Sequence, residues 1–205
     1  MARRSDHSRE ELYTMALETA QRIVETDGYQ ALTARNVADA MGYSPGTLYN
    51  VFANLDDLVI HLNGWTLDLL HDRLVAIEGG GEPEADLLAF ADIYIGFLGE
   101  RPNLWSLMFE YRLPQGAVLP EWYKTKIGKL LARVERALAP LFPAQDEGGR
   151  REAARVLWAG LHGICSLAAE GKLEIVTSRT VQTLADSLIT NYVAGLRARQ
   201  GGEGR

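Results

Sequence analysis

LTARNVADAMGYSPGTLYNVF, residues 32–52, decides how the rest of this chain is read. It reads as two short helices joined by a tight glycine turn. Thr33 can cap the first helix, whose apolar side is Val37, Ala38 and Met41. Gly42 suits the left-handed position that stops a helix. Ser44 followed by Pro45 is an N-cap with proline at the first helical position. Leu48 and Phe52 face inward, which turns Pro45, Gly46, Thr47, Tyr49 and Asn50 toward solvent. A short helix with a small, polar, uncharged outer face suits insertion into the DNA major groove.

The flanking residues extend the pattern. Ser8–Thr26 reads as an amphipathic helix ending at Asp27-Gly28, and Asn54-Leu55-Asp56-Asp57 as a capping box that opens another long helix. This order resembles the N-terminal domain of the TetR family of bacterial repressors. The matching residues are the Gly28-Tyr29 turn, Leu32-Thr33, Val37-Ala38, Gly42-Tyr43, Ser44–Phe52 with its Thr47-Leu48-Tyr49, then Asn54 and Leu58. The remainder of the chain fits the family in length and helix count. The resemblance implies a sequence-specific, ligand-responsive transcriptional regulator. It would be a repressor that binds a palindromic operator as a homodimer and is released by a small hydrophobic or aromatic effector. The competing reading keeps DNA binding without a small ligand, as a regulator or architectural protein controlled by a protein partner.

Composition narrows the possibilities. The chain has 205 residues, 47% of them hydrophobic, enough for a substantial core. Cys165 is its single cysteine, so no internal disulfide can form. The N-terminus MARRSDHSREE lacks the apolar run of a signal peptide, and the longest uncharged apolar stretch, Val156–Ala169, is too short to span a bilayer. A soluble cytoplasmic protein is expected. Net charge is −6, and residues 1–60 carry five arginines against nine acids. No lysine precedes Lys124, and no Lys or Arg lies between Arg35 and Arg73. Indiscriminate DNA coating is excluded by this balance; a sequence-specific reader with a few placed cations is not.

Periodicity gives an all-α chain of about nine helices. They fall near 8–26, 34–40, 45–51, 55–78, 84–99, 102–111, 120–139, 150–170 and 178–198, interrupted by the breakers Gly79-Gly80-Gly81, Pro114 to Pro120 and Pro140–Gly149. The expected organisation is a helix-turn-helix DNA-binding domain over 8–60, a ligand-binding and dimerisation domain over 61–198, and a disordered tail over 199–205. The long fourth helix would join them.

Each head residue carries a bland and a sharp reading. Thr33 is a cap whose hydroxyl could also meet a phosphate. Arg35 can pair with Asp39 four residues on, or reach DNA. Ser44, Pro45 and Gly46 sit at the end of the helix that would enter the groove, and Gly46 permits close backbone approach. Thr47 offers a hydroxyl or a methyl. Tyr49 resembles the family tyrosine that hydrogen-bonds a phosphate. Asn50 carries the donor and acceptor that bidentate adenine recognition requires. Arg3, Arg4 and Arg9 could follow the backbone as an arm, or be a solvated terminus. Two positions depart from the family: Leu55 stands where many members carry a lysine, and Val51 where an aromatic or histidine is frequent.

In the body, Val156–Ala169 is uncharged on every side, so more than one side must be covered. Gly160 and Gly163 admit a close helix. The last helix has two apolar faces. A homodimer through the eighth and ninth predicted helices is expected, with Leu161, Ile164, Val181, Leu184, Leu188 and Tyr192 at its interface. Leu157-Trp158-Ala159-Gly160-Leu161-His162-Gly163 also resembles a Trp-His-Gly pattern in the C-terminal domains of one TetR subgroup. Tyr94, Phe97, Trp105, Met108, Phe109, Trp122, Trp158 and His162 are either core or the lining of an apolar effector pocket. No catalytic residue, metal or cofactor is expected: His7, His61, His71 and His162 lack ligand spacing, and Gly79–Gly81 has no Lys-Ser/Thr after it.

Overall fold

The computed structural model describes residues 7–77 and 81–202, with side chains described through Arg199. Arg3 and Arg4 therefore lie outside the described residues, as do 203–205. Among the described residues there are ten α-helices, two 3₁₀ turns and no strand. The helices are α1 (Arg9–Asp27), α2 (Ala34–Met41), α3 (Pro45–Tyr49), α4 (Leu55–Val75), α5 (Pro83–Glu100), α6 (Pro102–Glu110), α7 (Glu121–Leu138), α8 (Glu147–Ala169), α9 (Leu173–Val176) and α10 (Val181–Gly202). The 3₁₀ turns are Tyr29–Ala31 and Ala139–Leu141. No helix among the described residues is long and apolar enough to cross a membrane.

The chain divides into two compact units, and the division differs from the sequence expectation. The first unit takes Met1–Thr66 together with Arg101–Tyr123; the second takes Leu67–Glu100 and Lys124–Arg205. The break does fall within α4. However, α6 and the loop after it belong with the N-terminal helices, where a simple boundary at 60/61 would have put them in the body. The reason is burial: Leu104 and Leu107 of α6 are sealed in the same core as Ala16, Ala20, Val24, Leu32, Val37, Leu48, Phe52, Leu58, Val59 and Leu62. Two polar ties reinforce this. Arg101 pairs with Glu25, and Asn103 donates to the Glu25 carbonyl at 2.9 Å near the end of α1.

The second unit buries Leu87, Phe90 and Ala91 of α5, Ala153, Ala154 and Leu157 of α8, and Ala185, Ile189, Val193 and Leu196 of α10. Arg133 on α7 donates to the carbonyls of Leu74 and Ile77 at 3.1 and 3.2 Å, closing the end of α4. This is a cation at a helix C-terminus, where the unpaired carbonyls sit. α10 runs to Gly202, into the stretch read from sequence as tail.

Candidate nucleic-acid interface

Hydrogen bonds at every helix end fix the geometry around α3. Thr33 Oγ1 accepts from the Asn36 N–H at 3.1 Å, so it caps α2 as its position suggests. Gly42 takes φ 76 and ψ 24, the left-handed stop between the two helices. Ser44 stands at the N-cap of α3 but makes no capping bond to the backbone. The Thr47 N–H goes instead to the Ser44 carbonyl at 2.9 Å, and the Ser44 and Thr47 hydroxyls pair at 3.3 Å. Both hydroxyls thus lie together at the N-terminal end of α3.

α3 stops at Tyr49, two residues earlier than the pattern predicts, and Asn50 is its C-cap. Arg9 holds the chain just past this stop. Its Nε donates to the Asn50 carbonyl and its Nη2 to the Val51 carbonyl, each at 3.3 Å. The arginine read as part of a DNA-following arm therefore also holds the last turn of α3 against α1. Beyond it, the Asp57 N–H donates to Asn54 Oδ1 at 2.8 Å, and Asp57 Oδ2 accepts from the Ala53 N–H at 2.9 Å. One arm of the expected capping box, Asn54 to the Asp57 N–H, is in place; the reciprocal arm reaches the Ala53 N–H rather than that of Asn54.

With these ends fixed, Leu48 and Phe52 are buried, while Ser44, Pro45, Gly46, Tyr49 and Asn50 are exposed and Thr47 is half-buried. Tyr49, a large ring, is 48% exposed on an otherwise polar face. At Gly46 an added Cβ would meet nothing closer than Ser44 Oγ at 3.6 Å, so nothing within the chain demands a glycine. Arg35 takes its local partner: its Nε lies 3.6 Å from Asp39 Oδ2, with both side chains well exposed. An exposed pair of this kind is worth under about 1 kcal/mol.

Sequence reasoning missed the groups that support α3 from behind. His7 Nδ1 lies 2.5 Å from the Tyr43 hydroxyl, tying the start of the described chain to the turn before α3. Tyr111 donates to Asp56 Oδ1 at 2.6 Å, linking the end of α6 to α4. Burial, then that bond and the Asp56 charge, push the Tyr111 phenol up to about 12. His61 lies among Tyr13, Phe52 and Trp122. Only contacts between segments distant in sequence reveal these groups.

The aromatic residues read as one pocket divide between the units. Trp105, Met108, Phe109 and Trp122 belong to the first; Tyr94, Phe97, Trp158 and His162 belong to the second. Phe97 and Trp105 are fully sealed and serve as core. In the second unit, the Trp158 and His162 rings stack at 5.2 Å and 7°, and His162 Nδ1 is 3.1 Å from the Tyr94 hydroxyl. Burial lowers the His162 pKa, raises that of Tyr94 and pushes the Cys165 thiol up to about 12. In each case burial favours the neutral form. In the first unit, Asn63 on α4 is buried with no hydrogen-bond partner for its Oδ1 among the described residues.

Of the predicted interface residues, Leu161, Ile164, Val181, Leu184, Leu188 and Tyr192 are all half-buried within the chain. Gly160 is spent inside it: a Cβ there would meet Leu188 Cδ2 at 2.8 Å. Gly163 faces open space. The apolar residues that α8 leaves uncovered include Val156, Trp158, Ala159, Gly163 and Leu167, with Val156 at 47%, Trp158 at 39% and Leu167 at 37% exposure.

Comparison with known proteins agrees with this geometry. Residues 16–62 match the family model described as bacterial regulatory proteins, tetR family, and residues 87–192 match the tetracyclin repressor-like C-terminal domain. An uncharacterized HTH-type transcriptional regulator of Mycobacterium tuberculosis is 24% identical over 204 residues, 97% of this chain and 86% of that one. A protein of unknown function from Rhodococcus sp. RHA1 superposes with TM-score 0.71 at 21% identity, over 95% of this chain and 98% of its own. FadR of Thermus thermophilus, a TetR-family repressor solved with lauroyl-CoA, superposes with TM-score 0.63 at 18% identity, over 91% and 93% of the two chains.

Proposed function

Starting from a chain that belongs to the TetR family of transcriptional regulators, we propose that it is a repressor. It binds a palindromic operator as a homodimer and is released by a small apolar effector. The observation that carries the DNA half is the outer face of α3. Gly46, Tyr49 and Asn50 are presented to solvent on a helix whose two ends are pinned by Thr47 and Arg9. A groove-reading helix needs its side chains free and its axis fixed. Tyr49 and the Ser44–Thr47 hydroxyls contact phosphates, Asn50 reads a base edge, and Gly46 lets the backbone approach.

The dimer reading is supported by the uncovered stripe Val156, Ala159, Gly163 and Leu167 on α8, beside the half-buried Leu184 and Leu188 of α10. The effector reading draws on the buried Tyr94 and the half-buried His162, whose hydroxyl and Nδ1 meet, with the exposed Trp158 ring stacked on His162. It draws also on the lauroyl-CoA complex of the Thermus FadR, which makes acyl chains the first class to screen. Phe97 and Trp105, being core, favour the competing reading of a regulator controlled by a protein partner.

Selection of genomic DNA fragments by the purified protein, followed by sequencing, tests the DNA half. A palindromic motif with half-sites about one helical turn apart is expected; fragments without common sequence would refute it. Displacement of the selected fragment by fatty acids and acyl-CoAs of graded length tests the effector half. If no compound of either series shifts the binding curve, the protein-partner reading replaces it.

A further inference from the structure

We infer that Trp122, in the first turn of α7, is a positioning residue for the DNA-reading helix and acts through His61. The inference rests on the reading of α3 given above. No property of Trp122 in the sequence suggests this; the arrangement within the first unit does.

The Trp122 and His61 rings stack with centroids 4.9 Å apart and planes at 23°. His61 then touches three groups that border α3. Its ring lies edge-on to Phe52 at 5.6 Å, and Phe52 is the buried residue whose N–H closes the last turn of α3 on the Leu48 carbonyl at 3.0 Å. Its Nδ1 is 3.0 Å from the Tyr13 hydroxyl, and the Tyr13 ring stacks on Phe52 at 5.3 Å from the α1 side. Its Nε2 is 3.7 Å from Asp57 Oδ1, and the other oxygen of that carboxylate holds the Ala53 N–H in the turn between α3 and α4. His61 is therefore seated between the hydrophobic anchor of α3 and the polar turn that follows it.

Three of these neighbours come from α1, the α3–α4 turn and α4 itself, and Trp122 arrives from the start of α7. A flat ring stacked on an imidazole fixes the plane of that imidazole, and the plane decides where Nδ1 and Nε2 point. Without Trp122, His61 gains rotational freedom, and Phe52 and Asp57 lose a common reference. A helix of five residues has too few internal hydrogen bonds to hold its own direction. A small tilt of α3 harms base contacts more than phosphate contacts, because base readout is the geometrically stricter of the two.

The test uses the full chain and the DNA fragment that the wild type selects. Trp122→Phe keeps a stacking ring; Trp122→Leu keeps apolar volume without one. Trp122→Leu is expected to weaken binding to the selected fragment about tenfold, the order of one lost base contact. Binding to unrelated duplex should change little. Trp122→Phe should stay close to wild type. Equal binding by wild type and Trp122→Leu overturns the proposal, as does an equal loss in Phe and Leu variants. If Trp122→Leu does not fold, tryptophan emission decides. Adding the fragment to wild type should change emission, and that change should be largely absent in Trp122→Phe. An identical emission change in both overturns the role. A wild type that selects no fragment refutes the reading of α3, and this proposal with it; selection without a Trp122 effect refutes the proposal alone.

Discussion

At the scale of single residues, Tyr49 and Asn50 are neighbours in sequence that the fold presents differently. Tyr49 projects a large exposed ring, while Asn50 ends the helix with its carbonyl held by Arg9. Tyr49→Ala is expected to weaken binding to all duplexes alike. Asn50→Ala is expected to relax preference at one base position, by about 1–3 kcal/mol of discrimination. Competition titrations with operator variants substituted base by base separate the two outcomes; parallel losses from both would remove Asn50 as a reader. His162 supplies a pH test. Burial holds its pKa below the ordinary 6.5, so the folded state resists the proton that the unfolded state accepts. Stability is then full above that ordinary value and declines as pH falls below it. Thermal melting from pH 8 to pH 5 should show the decline, and His162→Gln should flatten it. These assignments were only partly legible beforehand. Asn50 and Tyr49 stand out because a helical wheel places them outward. Arg9, His7 and His61 could not be assigned, because their partners lie 36 to 48 residues away.

At the scale of elements, periodicity locates the long helices well, since each shows several turns of apolar spacing. α9 escapes it: Leu173–Val176 is a single turn with no period to detect. α8 begins at Glu147 because the Asp146 carboxylate accepts from the Gly149 N–H at 2.9 Å, a cap hidden inside what reads as a Pro/Gly-rich loop. The span of α6 is legible, but a span does not name its partner, and so its place in the first unit does not follow from the sequence. The two glycines of α8 illustrate the same limit. They look equivalent in sequence, yet only Gly160 is pressed by Leu188. Gly160→Ala meets only the terminal Cδ2 of the half-buried Leu188, which can shift, so the melting temperature and self-association should stay close to those of the wild type. Gly163→Leu should leave the melting of the isolated fold unchanged and weaken self-association, as read by sedimentation. Equal behaviour of the two variants would mean that the exposed stripe of α8 is not the dimer contact.

At the scale of the whole molecule, charge sets a ceiling on how DNA can be held. The net charge is −6, and the cations near the reading helix are few. Arg9 is occupied at the end of α3 and Arg35 is paired with Asp39. Counting Arg3, Arg4, Arg9 and Arg35 from both chains of a dimer, the slope of log K against log salt should not exceed about 7 in magnitude. The surrounding acids should make it shallower. Affinity must lean on neutral donors and helix ends, so binding to unrelated duplex should be weak. Titrations of the selected fragment across a range of salt check this, and a clearly steeper slope would reveal cations not counted here.

The N-terminal unit is also discontinuous, and this governs what can be transplanted. Its core is completed by Leu104 and Leu107, which arrive only after the chain has passed through α5. A chimeric sensor made by one cut in α4 and fusion to a foreign body would receive a reading head with a hole in its floor. A graft that also carries residues 101–123 keeps the floor but needs three splice points rather than one. Reporter repression by the two designs, side by side, should favour the triple splice. For this protein the portable module is not the stretch that touches DNA. It is that stretch plus a segment borrowed from further along the chain, so the specificity of the head and the architecture of the body have to be inherited together.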